Sequence, residues 1–96
     1  MLPEKRIPSH PGRILRDEFL VPAAISQVRL AQAIQVAPNV ISEIINGRRG
    51  ISPEMALALG KALGTSPELW LNLQTAHDLG LARESTGKRK IERLAG

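Results

Sequence analysis

The stretch from Pro38 to Arg49 concentrates the side chains that could do chemistry: Asn39, Ser42, Glu43 and Asn46, then Gly47, Arg48 and Arg49. The first four are compact hydrogen-bonding residues. An asparagine can pair bidentately with adenine and a glutamate can accept from the cytosine amino group, while a serine can serve either; an apolar Pro38 or Val40 at the edge can touch a thymine methyl. Two adjacent arginines suit phosphate oxygens. The remaining reactive groups do not assemble into a site. His10 and His77 stand far apart in sequence, each without a second ligand or a nucleophile at workable spacing. Capping or packing is the expected role of both, with no metal and no cofactor. No nucleophile, base and stabiliser converge, so an enzyme is not expected.

A polar row of this kind can meet base edges only if one helix face holds it outward. Ile41, Ile44 and Ile45 recur at i, i+3 and i+4, which turns Asn39, Ser42, Glu43 and Asn46 together to the opposite side. Pro38 is a favoured first helical residue, and Asn46-Gly47 reads as the stop. Just ahead, Ser26 is a good N-cap for a helix that turns Leu30, Ala31 and Ile34 inward and ends near Gln35. Gln27 and the first backbone amides of that helix could meet a phosphate.

The rest of the chain is punctuated in the same way. Residues 1–10 carry Pro3 and Pro8 without apolar period and read as an extended arm. A first helix should start near Pro11, with His10 at or next to its N-cap, and run through Ile14, Leu15 and Phe19 until Pro22. Ser52-Pro53-Glu54 opens a fourth helix with Met55, Leu59, Ala62 and Leu63 on one face, stopping at Gly64. Ser66-Pro67-Glu68 repeats that opening for a fifth, which should fade near Gly80. Residues 83–96 read as a mobile basic tail, so the folded domain spans residues 11–82.

Composition agrees with a helical domain of this size. The 96 residues are 43% hydrophobic but only 2% aromatic, so the core must be built from Leu, Ile, Val and Ala. Thirteen basic against nine acidic residues leave a net charge of +4, which suits a polyanionic partner. Cysteine is absent, which excludes disulfides and thiolate metal sites and fits a reducing cytoplasm. No apolar run is long enough to span a bilayer, and the N-terminus lacks a signal-peptide core.

Any amphipathic helix shows a polar face to water. Here a second helix ends three residues before it begins, Pro38 starts it, Asn46-Gly47 stops it and arginines follow. That combination predicts an all-α, five-helix, lambda-repressor-like helix-turn-helix domain, with the helix from Pro38 in the major groove. Gln27, Pro38, Asn39, Val40, Ser42, Glu43, Asn46, Arg48 and Arg49 are the expected DNA-binding residues.

The sequence also resembles a known family. The opening SQVRLAQAIQV, the stretch ISEIINGRRGIS, the early His10-Pro11-Gly12 and the later GTSPELWLNLQTAHDL look like the HigA-type antitoxins, also called virulence-associated protein I, of the Xre helix-turn-helix group. The resemblance covers about residues 9–82. It implies a homodimer that binds a palindromic operator of double-stranded DNA in its own promoter. It further implies neutralisation of a HigB-type toxin, an endoribonuclease that cleaves mRNA on the ribosome. Similar proteins use residues at the positions of Gln27, Pro38, Asn39, Ser42, Glu43 and Arg48. One departure is Gln35, where repressors of this group usually carry glycine; a non-glycine residue in a left-handed turn costs about 1 kcal/mol.

A homodimer is also expected on physical grounds, because one subunit reads only a few base pairs. Leu69, Trp70, Leu73 and Ala76 on the fifth helix are the expected seam, with Trp70 fitting ordinary core equally well. Two other functions fit the residues: a free-standing phage-type repressor without a toxin partner, or a helical module that binds a protein.

Overall fold

Proline opens four of the helices in the computed structural model, which describes residues 7–87 and 89–96: Pro11, Pro38, Pro53 and Pro67 each occupy the first turn. In that turn its missing N–H leaves no hydrogen bond unmade. Side-chain caps meet the other free amides. His10 Nδ1 accepts from the Gly12 N–H at 2.9 Å. Ser26, Ser52 and Ser66 accept from Arg29, Met55 and Leu69 at 3.0, 3.1 and 3.2 Å. The resulting order is α1 (Pro11–Ile14), a π-helical segment (Leu15–Leu20), α2 (Gln27–Ile34), α3 (Pro38–Ile45), α4 (Pro53–Leu63) and α5 (Pro67–Thr86). No strand occurs among the described residues.

The first helix departs from a plain α-helix. Beyond Ile14 its turns widen, and the Val21 N–H donates to the Arg16 carbonyl five residues back, at 2.9 Å. The i to i+5 pattern brings residues five apart nearer to one face than an α-helix would. Leu15 and Leu20 therefore both point into the core, where they are 0% and 3% exposed. Apolar spacing alone does not reveal such a segment.

Gln35 takes up the left-handed conformation expected at that turn, with φ 60°, and its N–H and that of Val36 close the end of α2 on Gln32 and Ala31. Gly47 and Gly64 sit at φ 74° and 73°, ending α3 and α4 where a side chain would be strained.

Leu15, Leu20, Leu30, Ala31, Ile41, Ile44, Ile45, Ile51, Ala56, Leu59 and Trp70 form the core. Trp70 falls to the core side of its two expected roles, which corrects its place in the seam: it is fully buried and has no surface to give to a second copy. Its ring leans on Phe19 at 5.2 Å, and Nε1–H donates to Thr65 Oγ1 at 2.8 Å. Leu69 and Leu73 are half-buried against the same core, and of the expected seam only Ala76 is exposed. Ala62, expected on the inner face of α4, is exposed as well.

The second correction is the length of α5. It passes through Gly80 and ends at Thr86, inside the expected tail. Gly80 is no stop signal; it admits the N-terminal arm. A Cβ there would lie 2.9 Å from Pro8 Cδ and 3.2 Å from Ile7 Cγ2. The arm is thus docked at its described end, Ile7–His10, while residues 1–6 of the expected arm lie outside the described residues. Residues 81–87 and 89–96 are exposed. No helix among the described residues is long and apolar enough to cross a membrane.

Candidate nucleic-acid interface

α3 is held from behind before any side chain in front is considered. Ile41 and Ile44 are fully buried and Ile45 is 8% exposed, which fixes the rotation of the helix. Its C-terminal end approaches α1 closely at the backbone: a Cβ on Gly12 would come 1.8 Å from the Ile44 carbonyl oxygen. No residue but glycine fits between these two helices. Asn39, Ser42, Glu43 and Asn46 then face away from the core, as the periodicity requires. Pro38 and Asn39 are exposed, and Gln27 is exposed at the start of α2. Val40 is half-buried against the core, so of the two apolar edge residues Pro38 is the more available.

The outward side chains are joined to one another. Asn39 Nδ2 donates to Glu43 Oε2 at 3.1 Å, and Arg49 Nε and Nη2 donate to Glu43 Oε1 at 2.9 and 2.7 Å. Asn46 Nδ2 donates to Ser42 Oγ at 3.4 Å. The Arg49 guanidinium, and after it the Asn39 amide, hold the Glu43 carboxyl below its ordinary range. Arg49, expected on a phosphate, instead turns back onto α3. Arg48 remains exposed in the loop, where its N–H closes the helix end on the Glu43 carbonyl at 2.8 Å.

Two residues outside the sequence-derived set secure this loop. Gln74 on α5 accepts the Ile51 N–H through Oε1 at 2.8 Å and donates through Nε2 to Asp78 at 2.9 Å. Its side chain covers Gly50, where a Cβ would lie 3.1 Å from Oε1. His10 reaches the same loop beside Gly47 and packs edge-on against His77, with ring centroids 5.1 Å apart. His77 Nδ1 lies 2.7 Å from the Pro8 carbonyl. Both histidines pack and hydrogen-bond, as expected, although their meeting was not. Contacts 23 and 69 residues apart leave no mark in local spacing.

A short helix with a buried back, a polar front and a basic loop, preceded at a tight turn by a second short helix, defines a helix-turn-helix domain. The comparisons with known proteins agree. The family described as Helix-turn-helix matches residues 18–70. Virulence-associated protein I of Dichelobacter nodosus is 45% identical over 75 residues, which cover 78% of this chain and 69% of the relative. Antitoxin HigA-1 of Vibrio cholerae is 45% identical over 75 residues, covering 78% and 70%. Among solved structures, the Pseudomonas aeruginosa antitoxin HigA with higBA promoter superposes with a TM-score of 0.86 at 42% identity, over 92% of this chain and 99% of that one. The chain belongs to the helix-turn-helix family, in its HigA antitoxin branch. This is a family of DNA-binding regulators and not of enzymes.

Proposed function

We propose that the protein is a DNA-binding antitoxin that represses its own operon and neutralises a HigB-type mRNA-cleaving toxin in the cytoplasm. The observation that carries the reading is the front of α3, where Asn39, Ser42, Glu43 and Asn46 face outward from a helix whose back is buried. Asn39 and Glu43 are assigned to base edges, Ser42 and Asn46 beside them, and Pro38 to a thymine methyl. Arg48, Gln27 and the first amides of α2 are assigned to phosphates. The toxin follows from the antitoxin relatives.

The operator is proposed to be palindromic and the protein a homodimer, since two half-sites about one helical turn apart multiply the few base pairs that one α3 can read. With Trp70 enclosed, the seam is assigned to Leu69, Leu73 and Ala76, extended by Leu79. Leu69, Ala76 and Leu79 are spaced seven and three residues apart along one flank of α5, and Leu79 is 46% exposed.

Two substitutions test the reading on operator and scrambled duplex at several salt concentrations. Asn39→Ala should weaken operator binding by about 1–3 kcal/mol, affect scrambled DNA much less and leave the salt dependence unchanged. Arg48→Ala should weaken both duplexes alike and reduce the slope of log affinity against log salt by about one per subunit. Equal weakening of both duplexes by Asn39→Ala means that α3 does not read bases. Co-expression with the product of the neighbouring small reading frame, followed by assay of mRNA cleavage, tests the toxin.

A further inference from the structure

The inference drawn here rests on the base-reading role of α3 and concerns how that face is set. Glu43 lies between two partners. Its Oε1 accepts from both Arg49 Nε and Nη2, at 2.9 and 2.7 Å, while Oε2 accepts from Asn39 Nδ2 at 3.1 Å. A carboxylate oxygen has about two acceptor positions. Oε1 is therefore filled, and Oε2 keeps one. Asn39 has given one of its two amide hydrogens and retains the other, together with its carbonyl oxygen. That remaining pair is what an asparagine needs to meet adenine bidentately.

The chain of bonds thus leaves one free acceptor position on Glu43 and a free donor–acceptor pair on Asn39, with the Arg49 cation bound to the other carboxylate oxygen. We propose that Asn39, Glu43 and Arg49 act as one reading unit, in which Arg49 is a positioning residue for Glu43 and not a phosphate contact. The base-edge group that fits the remaining Glu43 Oε2 position is an exocyclic amino group in the major groove, of cytosine or adenine.

Arg49 serves this role through both its charge and its shape. An unpaired carboxylate on this face would be repelled by the duplex, and Arg49 offsets that charge locally. Its planar fork delivers two N–H groups to one oxygen from a fixed direction, which a lysine ammonium cannot copy. Because Arg49 and Glu43 side chains are 47% and 36% exposed, the pair adds little to folding, and substitutions there should leave a folded protein.

The test uses the full-length protein and an operator selected by the wild type from a random duplex library. Each position of that operator is then varied, and binding is measured for wild type, Arg49→Ala, Arg49→Lys, Glu43→Gln and the double variant Arg49→Ala with Glu43→Gln. Thermal midpoints are recorded for all. Arg49→Ala should reduce discrimination about tenfold at the same position as Glu43→Gln. Its salt slope should match the wild type, and the double variant should lose no more discrimination than either single one. Arg49→Lys should keep the charge without restoring discrimination. Replacing the preferred base by a purine or pyrimidine without its amino group identifies whether adenine or cytosine is read.

If Arg49→Lys restores full binding while Arg49→Ala weakens every duplex and lowers the salt slope, Arg49 is a phosphate contact and the proposal is overturned. Unchanged discrimination in Arg49→Ala overturns it equally. Asn39→Ala separates this failure from that of the underlying reading: selective loss of operator binding keeps α3 as the reading helix whatever Arg49 does. A wild type with no preference among duplexes removes both.

Discussion

α3 is eight residues long, and every side of it meets something: three isoleucines of the core behind, the Gly12 backbone at its C-terminal end, and Glu43 tied to Asn39 and Arg49 in front. α5 is 20 residues long, yet beyond His77 it touches little except Ile7 and Pro8 at Gly80, and it leaves Leu79 and Leu81 each 46% exposed. An isolated helix as short as α3 would not form in water, so its order comes from tertiary contacts. The far half of α5 continues from a packed first half, one hydrogen bond per added residue. Geometry is fixed closely on the helix assigned to base edges, and apolar surface is left open on the one assigned to a second subunit.

The contrast can be broken most severely at the packed half of α5. Trp70→Ala should cost about 3–5 kcal/mol, enough to lower the melting midpoint by more than about 10 °C when followed by circular dichroism. Leu79→Ala, nine residues further on, should leave the stability within about 0.5 kcal/mol of wild type and weaken self-association in sedimentation instead. Should the two substitutions lower stability equally, the two halves of α5 do not differ as described.

Next in size is Gly12→Ala. Its Cβ must displace the backbone at Ile44, so a loss of about 2–3 kcal/mol is expected, with operator binding reduced beyond what unfolding explains. Full binding by the folded fraction would mean that α1 does not set the position of α3.

A smaller, pH-dependent effect is expected at His10. Burial, and after it the charge of His77, hold its imidazole below the ordinary 6.5, against opposing effects of Asp78 and an Arg49 backbone carbonyl. The unfolded chain consequently takes up this proton first as pH falls. The contribution is intact above the ordinary value of 6.5 and is lost as pH drops through the lower folded value. His10→Asn retains a cap acceptor but cannot titrate. It should narrow the difference between melting midpoints measured at about pH 7.5 and about pH 5. An undiminished difference assigns that pH dependence to other groups.

The smallest effect is expected from removing residues 84–96, which are exposed wherever they are described. The midpoint should shift by less than about 4 °C. A larger fall would show that the end of α5 is packed after all.

The parts of this structure that were legible in the sequence are those governed by short-range rules. Pro11, Pro38, Pro53 and Pro67 mark helix starts, Ser26, Ser52 and Ser66 cap as their spacing requires, and Gln35 takes the left-handed turn. The outward row on α3 follows from periodicity in the same way. The burial of Trp70 is not legible in the same way, because its apolar size is visible in sequence while the pocket around it, with Phe19 and Thr65, is not. Gly80 suggests a helix end, because a glycine that ends a helix and one that admits a neighbouring segment look alike until Pro8 is in position. Arg49 reads as a phosphate ligand from its basic type and its place after the helix, whereas its bond to Glu43, six residues back across the turn at Gly47, appears only in three dimensions.

The enclosure of Trp70 also makes the protein its own optical reporter. It is the one tryptophan in a chain without tyrosine, and it is shielded from water. Its emission should be short in wavelength in the folded protein, move to longer wavelength on denaturation, and stay nearly constant when a duplex is added. Fluorescence would then follow folding in every variant above except Trp70→Ala, and it would do so in the presence of DNA.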